Sequence, residues 1–394
     1  MTAILIVIYI VFVSLGLPDS LFGAAWPVTH LDLGVSESFA SYYGIITGIC
    51  TGGVSFVAGK MLRKFGTAKV TLVSTFMTVA ALVGMSFSPN IVVMMLFAVI
   101  LGYGAGAIDT GLNNFVSLHY EARHMNWLHC CWGLGVTISP LIMSAFLSEE
   151  QLSSWRMGYR IVALLQLSIT VIILLSIKKW DKVEKSIVSE EKEENAGSAK
   201  LFDLLKIKGV ITSILSMGLY CGMEFSLGTW GATYAVNTFS IPPDEAAKWV
   251  SLYFGGIMLG RIIAGFASMK MSDKALVRAG IITAFLGIIV FALPLGKLSL
   301  IGFILIGTGF GPIFPSILHS VPERFGTTYS ADLTGYHMGG AYGIGFTIQL
   351  IFGYAATLIT FKITPFVLLA LCAGVYLANE ITLKKIIKKA KPAA

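Results

Sequence analysis

The sequence predicts an all-α membrane protein in which twelve transmembrane helices form two six-helix bundles. Of its 394 residues, 56% are hydrophobic and only 12% are charged, whereas about a quarter of the residues in a soluble domain are charged. Apolar runs of about 20 residues, the length that crosses a bilayer, recur along the chain. Each run is expected to be a helix, because an unpaired backbone amide in hydrocarbon costs several kcal/mol.

The predicted spans follow one another with short connections. In the first half they lie near residues 3–29, 38–58, 68–87, 90–117, 126–147 and 158–178. In the second half they lie near 207–237, 246–268, 275–294, 298–318, 328–360 and 363–383. The segment between the halves carries many charges of both signs and few aromatics, so it cannot bury enough surface to fold alone. We therefore expect an N-terminal bundle over 1–180, a cytoplasmic linker over 181–204 and a C-terminal bundle over 205–394.

The distribution of Lys and Arg predicts the orientation of the helices. Alternate connections collect 22 basic residues on one side and five on the other, and Arg261 lies inside a span. Basic connections stay in the cytoplasm, so both termini are expected there, in a multi-pass protein of the cell membrane. The net charge of +7 is spread over short segments rather than one face, which argues against a nucleic-acid partner.

Glycine patterns indicate that the two halves are repeats of each other. Gly16 and Ser20 match Gly222 and Ser226 at an offset of 206 residues. The other matches are Gly102–Ile108 with Gly307–Ile313, offset 205, and Gly133–Ile138 with Gly343–Ile348, offset 210. An even number of spans per repeat returns both halves to the same orientation, so the repeats are expected to be parallel. Transporters built in this way hold their solute near the membrane midplane.

Two sets of motifs resemble known families. The loop Gly59–Gly66 resembles the signature loop of the major facilitator superfamily, although Arg63 stands where that loop usually has an acid. The stretch Gly106–Phe115 resembles the fucose permease group, in which a membrane-embedded carboxylate is followed four residues later by asparagine. Further matches to that group are Asp19 in Gly16–Gly23, Glu224 ahead of Trp230, the pair Gly260-Arg261, and Gly309–Pro315.

The sequence departs from the fucose permease pattern at four positions. His129 and Trp132 replace expected amide residues, Asp109 replaces a glutamate, and Asn114 stands where proline is usual. The resemblance therefore implies a symporter of a sugar with protons, without implying the same sugar.

Four charged residues interrupt the spans: Asp19, Asp109, Glu224 and Arg261. A charge at a helix centre costs about 2.5–3.5 kcal/mol, so such residues are paired or face a wet cavity. One acid is expected to neutralise Arg261, but one arginine cannot serve all three acids. Desolvation disfavours the charged form of a carboxyl group, so Asp19 and Asp109, with Glu224, are the candidates for proton coupling. A sodium site built on the same acids stays open.

A sugar presents hydroxyl groups around apolar C–H faces, so its site needs amides and acids beside flat rings. The candidate solute-binding residues with this mixture are Asn113, Asn114, His129, Trp132, Trp230, Tyr234, His337 and Gln349. Simple packing against lipid or a neighbouring helix is the alternative interpretation for Trp132 and Trp230.

No catalytic, nucleotide-binding or metal-ligand pattern is present, and the five cysteines lie inside apolar runs. We therefore expect no enzyme activity, no cofactor and no metal. The predicted function is proton-coupled uptake of a sugar or similar small polar solute by a monomer in the bilayer. A proton antiporter that exports drugs or metabolites is the main alternative, and a membrane receptor or scaffold that transports nothing is another.

Overall fold

The computed structural model describes residues 2–119, 122–148, 150–185, 204–326 and 330–390. These residues form helices joined by short connections and contain no β-strand. The helices of the first half are α1 (Thr2–Asp32), α2 (Phe39–Phe65), α3 (Thr67–Ser86), α4 (Ile91–His119), α5 (Ala122–Ser144) and α6 (Trp155–Lys185). Each one overlaps a predicted span, so the helical interpretation of the first half is confirmed.

The second half begins with α7 (Val210–Phe239), α8 (Pro243–Ala267) and α9 (Asp273–Ala292). It continues with the shorter helices α10 (Gly302–Phe310), α11 (Ile313–His319) and α12 (Val321–Phe325), and ends with α13 (Ser330–Leu358) and α14 (Thr364–Ala390). The tenth predicted span is thus two helices that meet at Gly311 and Pro312. Proline has no N–H to donate and interrupts the hydrogen bonding of a helix there.

Eleven segments of the described chain are long and apolar enough to cross a membrane. One of them runs from Gly296 to His319 and includes both α10 and α11. Among the helices at the predicted spans, these criteria leave out α2, which is rich in Gly, Ser and Thr. With α2, the described chain has a helical segment at every one of the twelve predicted positions.

The described residues fall into two compact units. Unit 1 comprises those within Met1–Lys192 and Gly228–Phe254, and unit 2 those within Glu193–Leu227 and Gly255–Ala394. In unit 1, α1 packs on α5 and α6, α4 packs on α2 and α3, and α3 also packs on α6. In unit 2, α9 packs on α10, α11 and α14. The predicted linker lies mostly outside the described residues, α6 continues to Lys185, and the predicted domain boundaries stay a prediction.

The stretch Gly228–Phe254, the end of α7 and the start of α8, packs with the N-terminal helices of unit 1. A Cβ added to Gly23 would lie 2.1 Å from the carbonyl oxygen of Gly228, so the two backbones are in direct contact. Ser251 Oγ donates to the carbonyl oxygen of Thr137 at 2.6 Å. Unit 1 therefore contains helical segments from both sequence repeats.

Candidate functional site

The site in unit 1 begins with a close crossing of α1 and α5. A Cβ on Gly16 would lie 2.3 Å from the carbonyl oxygen of Trp132, and a Cβ on Gly135 would lie 2.1 Å from that of Val13. No real Cβ fits at such distances, so only glycine permits this approach of the two backbones. Small residues are the usual means of close helix packing in membranes.

The crossing brings Asp19 and Trp132 together. Asp19 lies three residues after Gly16 and Trp132 three residues before Gly135, about one helical turn from the crossing on each helix. The Trp132 Nε1–H donates to Asp19 Oδ2 at 2.7 Å. Asp19 is exposed although it lies in the middle of an apolar helix. Its carboxylate is therefore both hydrogen-bonded and open to a ligand or water.

Buried aromatic rings pack next to the exposed Asp19. The ring centroids of Phe22 and Tyr43 lie 3.6 Å apart with parallel planes. The Phe22 and Trp26 rings also stack, with centroids 4.9 Å apart. Asp19 is close enough to Tyr43 to act electrostatically on its hydroxyl group. Sequence reasoning missed Phe22 and Tyr43, although Phe22 follows Asp19 by three residues and so shares its helix face.

Asp109 and Asn113 form a second polar pair, on α4. The Asn113 Nδ2 donates to Asp109 Oδ1 at 2.7 Å and to the Asp109 carbonyl oxygen at 3.0 Å. The four-residue spacing places both side chains on one face of the helix. No basic residue among those described forms an ion pair with Asp109. The side chain of Asn114 lies outside the described part of the chain.

His129, like Trp132, lies at the interface between α1 and α5. Its ring meets the Phe12 ring edge-on, with centroids 5.9 Å apart. Further along this interface, Tyr9 Oη hydrogen-bonds with His124 Nδ1 at 2.8 Å. The structure therefore groups Asp19, Trp132 and His129 along one helix pair.

Unit 2 contains the other charged candidates. The Tyr220 Oη–H donates to Glu224 Oε2, and both residues are buried on α7. Glu224 and Arg261 both act electrostatically on Tyr220 and on Cys221, so the two charges share one neighbourhood.

The remaining candidates are deeply buried. His337 is fully buried, with its Nε2 hydrogen-bonded to Ser213 Oγ at 2.8 Å and its Nδ1 to the Leu333 carbonyl oxygen at 2.7 Å. Both ring nitrogens are thus engaged by the protein. Trp230, Tyr234 and Gln349 are also buried, at 1%, 2% and 1% exposure. The described residues contain no group of His, Cys, Asp and Glu that could hold a metal ion.

Comparison with known proteins agrees with this architecture. A glucose/mannose transporter of Bacillus subtilis (strain 168) is 24% identical over 334 residues, which cover 83% of this chain and 80% of the relative. A D-xylose-proton symporter structure superposes with a TM-score of 0.76 at 11% identity, covering 96% of this chain and 97% of that one. The E. coli fucose:proton symporter gives a TM-score of 0.63 at 15% identity, with 96% and 98% covered, which confirms the resemblance predicted from α1 and α4 at the level of the fold. The model of the Major Facilitator Superfamily matches residues 8–350, and the chain therefore belongs to this superfamily of membrane transporters and is not an enzyme.

Proposed function

We propose that this chain is a secondary active transporter that takes up a sugar together with protons by alternating access. The observation that carries the proposal is the Asp109–Asn113 pair. Asn113 is 2.7 Å from the Asp109 carboxylate, and an amide offers a hydrogen bond without a compensating charge. Ionised Asp109 therefore bears the cost of a charge in the membrane, whereas protonated Asp109 does not.

The surroundings of Asp19 support a sugar as the solute. A carboxylate held by the Trp132 indole at 2.7 Å accepts hydrogen bonds from hydroxyl groups. The rings of Phe22, Tyr43 and Trp26 pack behind it as buried apolar neighbours. Small-molecule sites typically combine aromatic side chains with a few placed polar groups. The names of the relatives agree, because one is a glucose/mannose transporter and two solved neighbours are symporters of D-xylose or fucose with protons.

Arg261 fits a different role in this proposal. Arg261 and Glu224 both lie near Tyr220, so we propose that Glu224 is the acid that neutralises Arg261. Asp19 and Asp109 then stay available for solute and proton. We further propose that the protein acts as a monomer in the cell membrane. Both termini are proposed to lie in the cytoplasm, because 22 basic residues lie on that side against five on the other.

Transport by the purified protein in proteoliposomes tests the proposal. Counterflow of radiolabelled glucose, mannose, galactose, xylose and fucose is expected for at least one sugar. An inwardly directed proton gradient is expected to drive its accumulation, and a sodium gradient at constant pH is not. Sugar counterflow without pH-driven accumulation would contradict only the proposed proton coupling. The absence of any sugar counterflow would contradict the assignment of a sugar as the solute.

A further inference from the structure

The ends of α1 and α7 meet within unit 1. The two helices touch at Gly23 and Gly228, and both then run toward the side opposite the one proposed for the termini; we call these the outer ends. Past this contact, Glu37 lies in the connection between α1 and α2, and Asn237 lies in the last turn of α7. The Asn237 Nδ2 donates to Glu37 Oε1 at 2.9 Å. This hydrogen bond joins segments of the two sequence repeats at their outer ends.

The backbone after α1 places Glu37 for this contact. Gly34 has a φ of 64°, in the left-handed region that favours glycine, and it turns the chain back at the end of α1. The indole N–H of the buried Trp26 donates to the Glu37 carbonyl oxygen at 2.8 Å. Glu37 is therefore held against the last turns of α1, with its carboxylate 3.6 Å from the His30 ring.

The hydrogen bonds of His30 determine how its ring meets that carboxylate. Its Nδ1 lies 3.2 Å from the Val35 carbonyl oxygen, and because a carbonyl oxygen can only accept, Nδ1 carries a proton. Its Nε2 lies 3.6 Å from Glu37 Oε1, the same oxygen that accepts from Asn237. A neutral ring therefore turns the Nε2 lone pair toward a carboxylate and repels it, whereas a protonated ring turns an N–H toward it and attracts it.

The other charged groups of the neighbouring elements have partners of their own. Asp32, the next acid on α1, is paired with Arg156 of α6 at 2.9 Å. At the start of α8, which follows α7, Asp244 is paired with Lys248 at 3.0 Å, and Glu245 is the next residue. Within the described part of the chain, the histidine ring forms an ion pair only with the carboxylate of the α1–α2 connection.

We propose that His30, Glu37 and Asn237 form a pH-dependent latch between the outer ends of α1 and α7. A protonated ring attracts the Glu37 carboxylate and fixes it where it holds Asn237. A neutral ring repels the carboxylate, so α7 is released from α1. Histidine ordinarily changes charge between pH 5 and 8, and the latch therefore opens as the external pH rises through this range. The inference rests on the proposed function, because alternating access requires the outer ends to separate, and it adds regulation by the external medium.

Pulsed EPR distances between two spin labels test the latch without any solute. After replacement of the five native cysteines, Leu31→Cys and Pro242→Cys each provide one exposed labelling position, at the end of α1 and just after α7. With the latch residues unchanged, a short distance is expected to dominate at pH 5. The ratio of the long to the short distance is expected to rise about three- to tenfold at pH 8.

Two variants remove the charge pair and keep the hydrogen bonds. His30→Asn keeps an N–H donor for the Val35 carbonyl oxygen but cannot titrate, and Glu37→Gln keeps an acceptor for Asn237 without a charge. Both are expected to show a ratio that changes by less than about twofold between the two pH values. His319→Asn is the matched control, because that histidine also faces an acid, at 2.7 Å in unit 2, and this variant should keep the full response.

Three results would overturn the latch. They are a ratio that does not change with pH when the latch residues are intact, a response that persists in either His30→Asn or Glu37→Gln, and a response that is lost in His319→Asn. The distances require no sugar, so they are read separately from transport. Absence of sugar counterflow would contradict the assignment of a sugar as the solute, whereas a distance ratio that is independent of pH would contradict the latch.

Discussion

At the scale of the residue, the chemistry of this chain depends on the hydrogen-bond donor that each acid within the helices receives. Asp19 receives an indole N–H, Asp109 receives an amide N–H, and Glu224 receives a tyrosine O–H. A neutral donor stabilises a carboxylate through one hydrogen bond and adds no opposite charge, whereas Glu224 also shares its neighbourhood with Arg261. Asp19 is exposed, Asp109 is half-buried and Glu224 is buried, so the same functional group is given three different environments.

The first prediction concerns Asp109. We expect Asp109→Asn to abolish pH-driven accumulation and to retain sugar counterflow, because asparagine resembles the protonated carboxyl group but cannot release a proton. Exchange requires only the solute-loaded protein to reorient, and the neutral side chain permits this. Both activities are measured in proteoliposomes with equal amounts of folded protein.

Asp109→Glu is the matched control, because it restores a titratable group at the same position and is expected to recover part of the accumulation. Undiminished accumulation in Asp109→Asn would show that another group carries the proton, with Glu224 the next to examine. Loss of protein yield together with every activity would indicate a structural role for Asp109.

At the scale of the element, glycines decide which helices approach most closely. In α1 and α5 they allow direct backbone contact at Gly16 and Gly135, and this contact sets the register of Asp19 against Trp132. In unit 2 the crossing of α8 with α10 and α11 depends in the same way on Gly260 and Gly311, where a Cβ on Gly260 would lie 2.1 Å from the Thr308 carbonyl oxygen. The local helix is encoded by composition, but the contact between Asp19 and Trp132 is fixed at such a crossing.

A single added methyl group tests the α1–α5 crossing. We expect Gly135→Ala to destabilise the protein by about 1–3 kcal/mol, because the new Cβ overlaps the Val13 carbonyl oxygen and the helices must move apart. Separation also lengthens the Asp19–Trp132 hydrogen bond, so sugar affinity should fall. Thermal unfolding in detergent and the KM of counterflow report the two effects.

The control for this substitution is Gly52→Ala in the same unit. A Cβ on Gly52 would meet no described atom within 4 Å, so its melting temperature should equal or slightly exceed that of the wild type, since alanine favours a helix over glycine. Equal stability of both variants would contradict the close packing of α1 on α5.

At the scale of the whole molecule, the twelve helical segments and the asymmetric distribution of basic residues are consequences of the bilayer. Twelve predicted spans correspond to twelve helical segments of the described chain, although the tenth is divided at Gly311 and Pro312. The proposed orientation in the membrane rests on 22 basic residues on one side against five on the other.

Labelling of single cysteines tests this orientation. The five native cysteines are free thiols and would first be replaced by serine or alanine. Lys362→Cys, before α14, and Lys270→Cys, before α9, each then introduce one exposed thiol. A membrane-impermeant maleimide added to intact cells is expected to label position 362 and not 270, and permeabilised cells are expected to be labelled at both. The reverse pattern would show that the termini lie outside the cell.

The sequence by itself determined where the helices lie, which residues are charged inside them and how the two halves repeat. These features can be recognised locally or by their periodicity. A span needs only about 20 apolar residues, and a charged residue within such a run stands out in the sequence. The pair Asp109 and Asn113 could be predicted for the same reason, since four residues along one helix fix their proximity.

Only the tertiary structure decided which helices meet and at which rotation. It joined Asp19 to Trp132, added Phe22 and Tyr43 beside them, and stacked Phe225 on the rings of α13. It also packed Gly228–Phe254 with unit 1. Apolar helices of similar composition can pack in many registers, and the register that occurs depends on backbone contacts between residues more than 100 positions apart, such as Gly16 and Gly135.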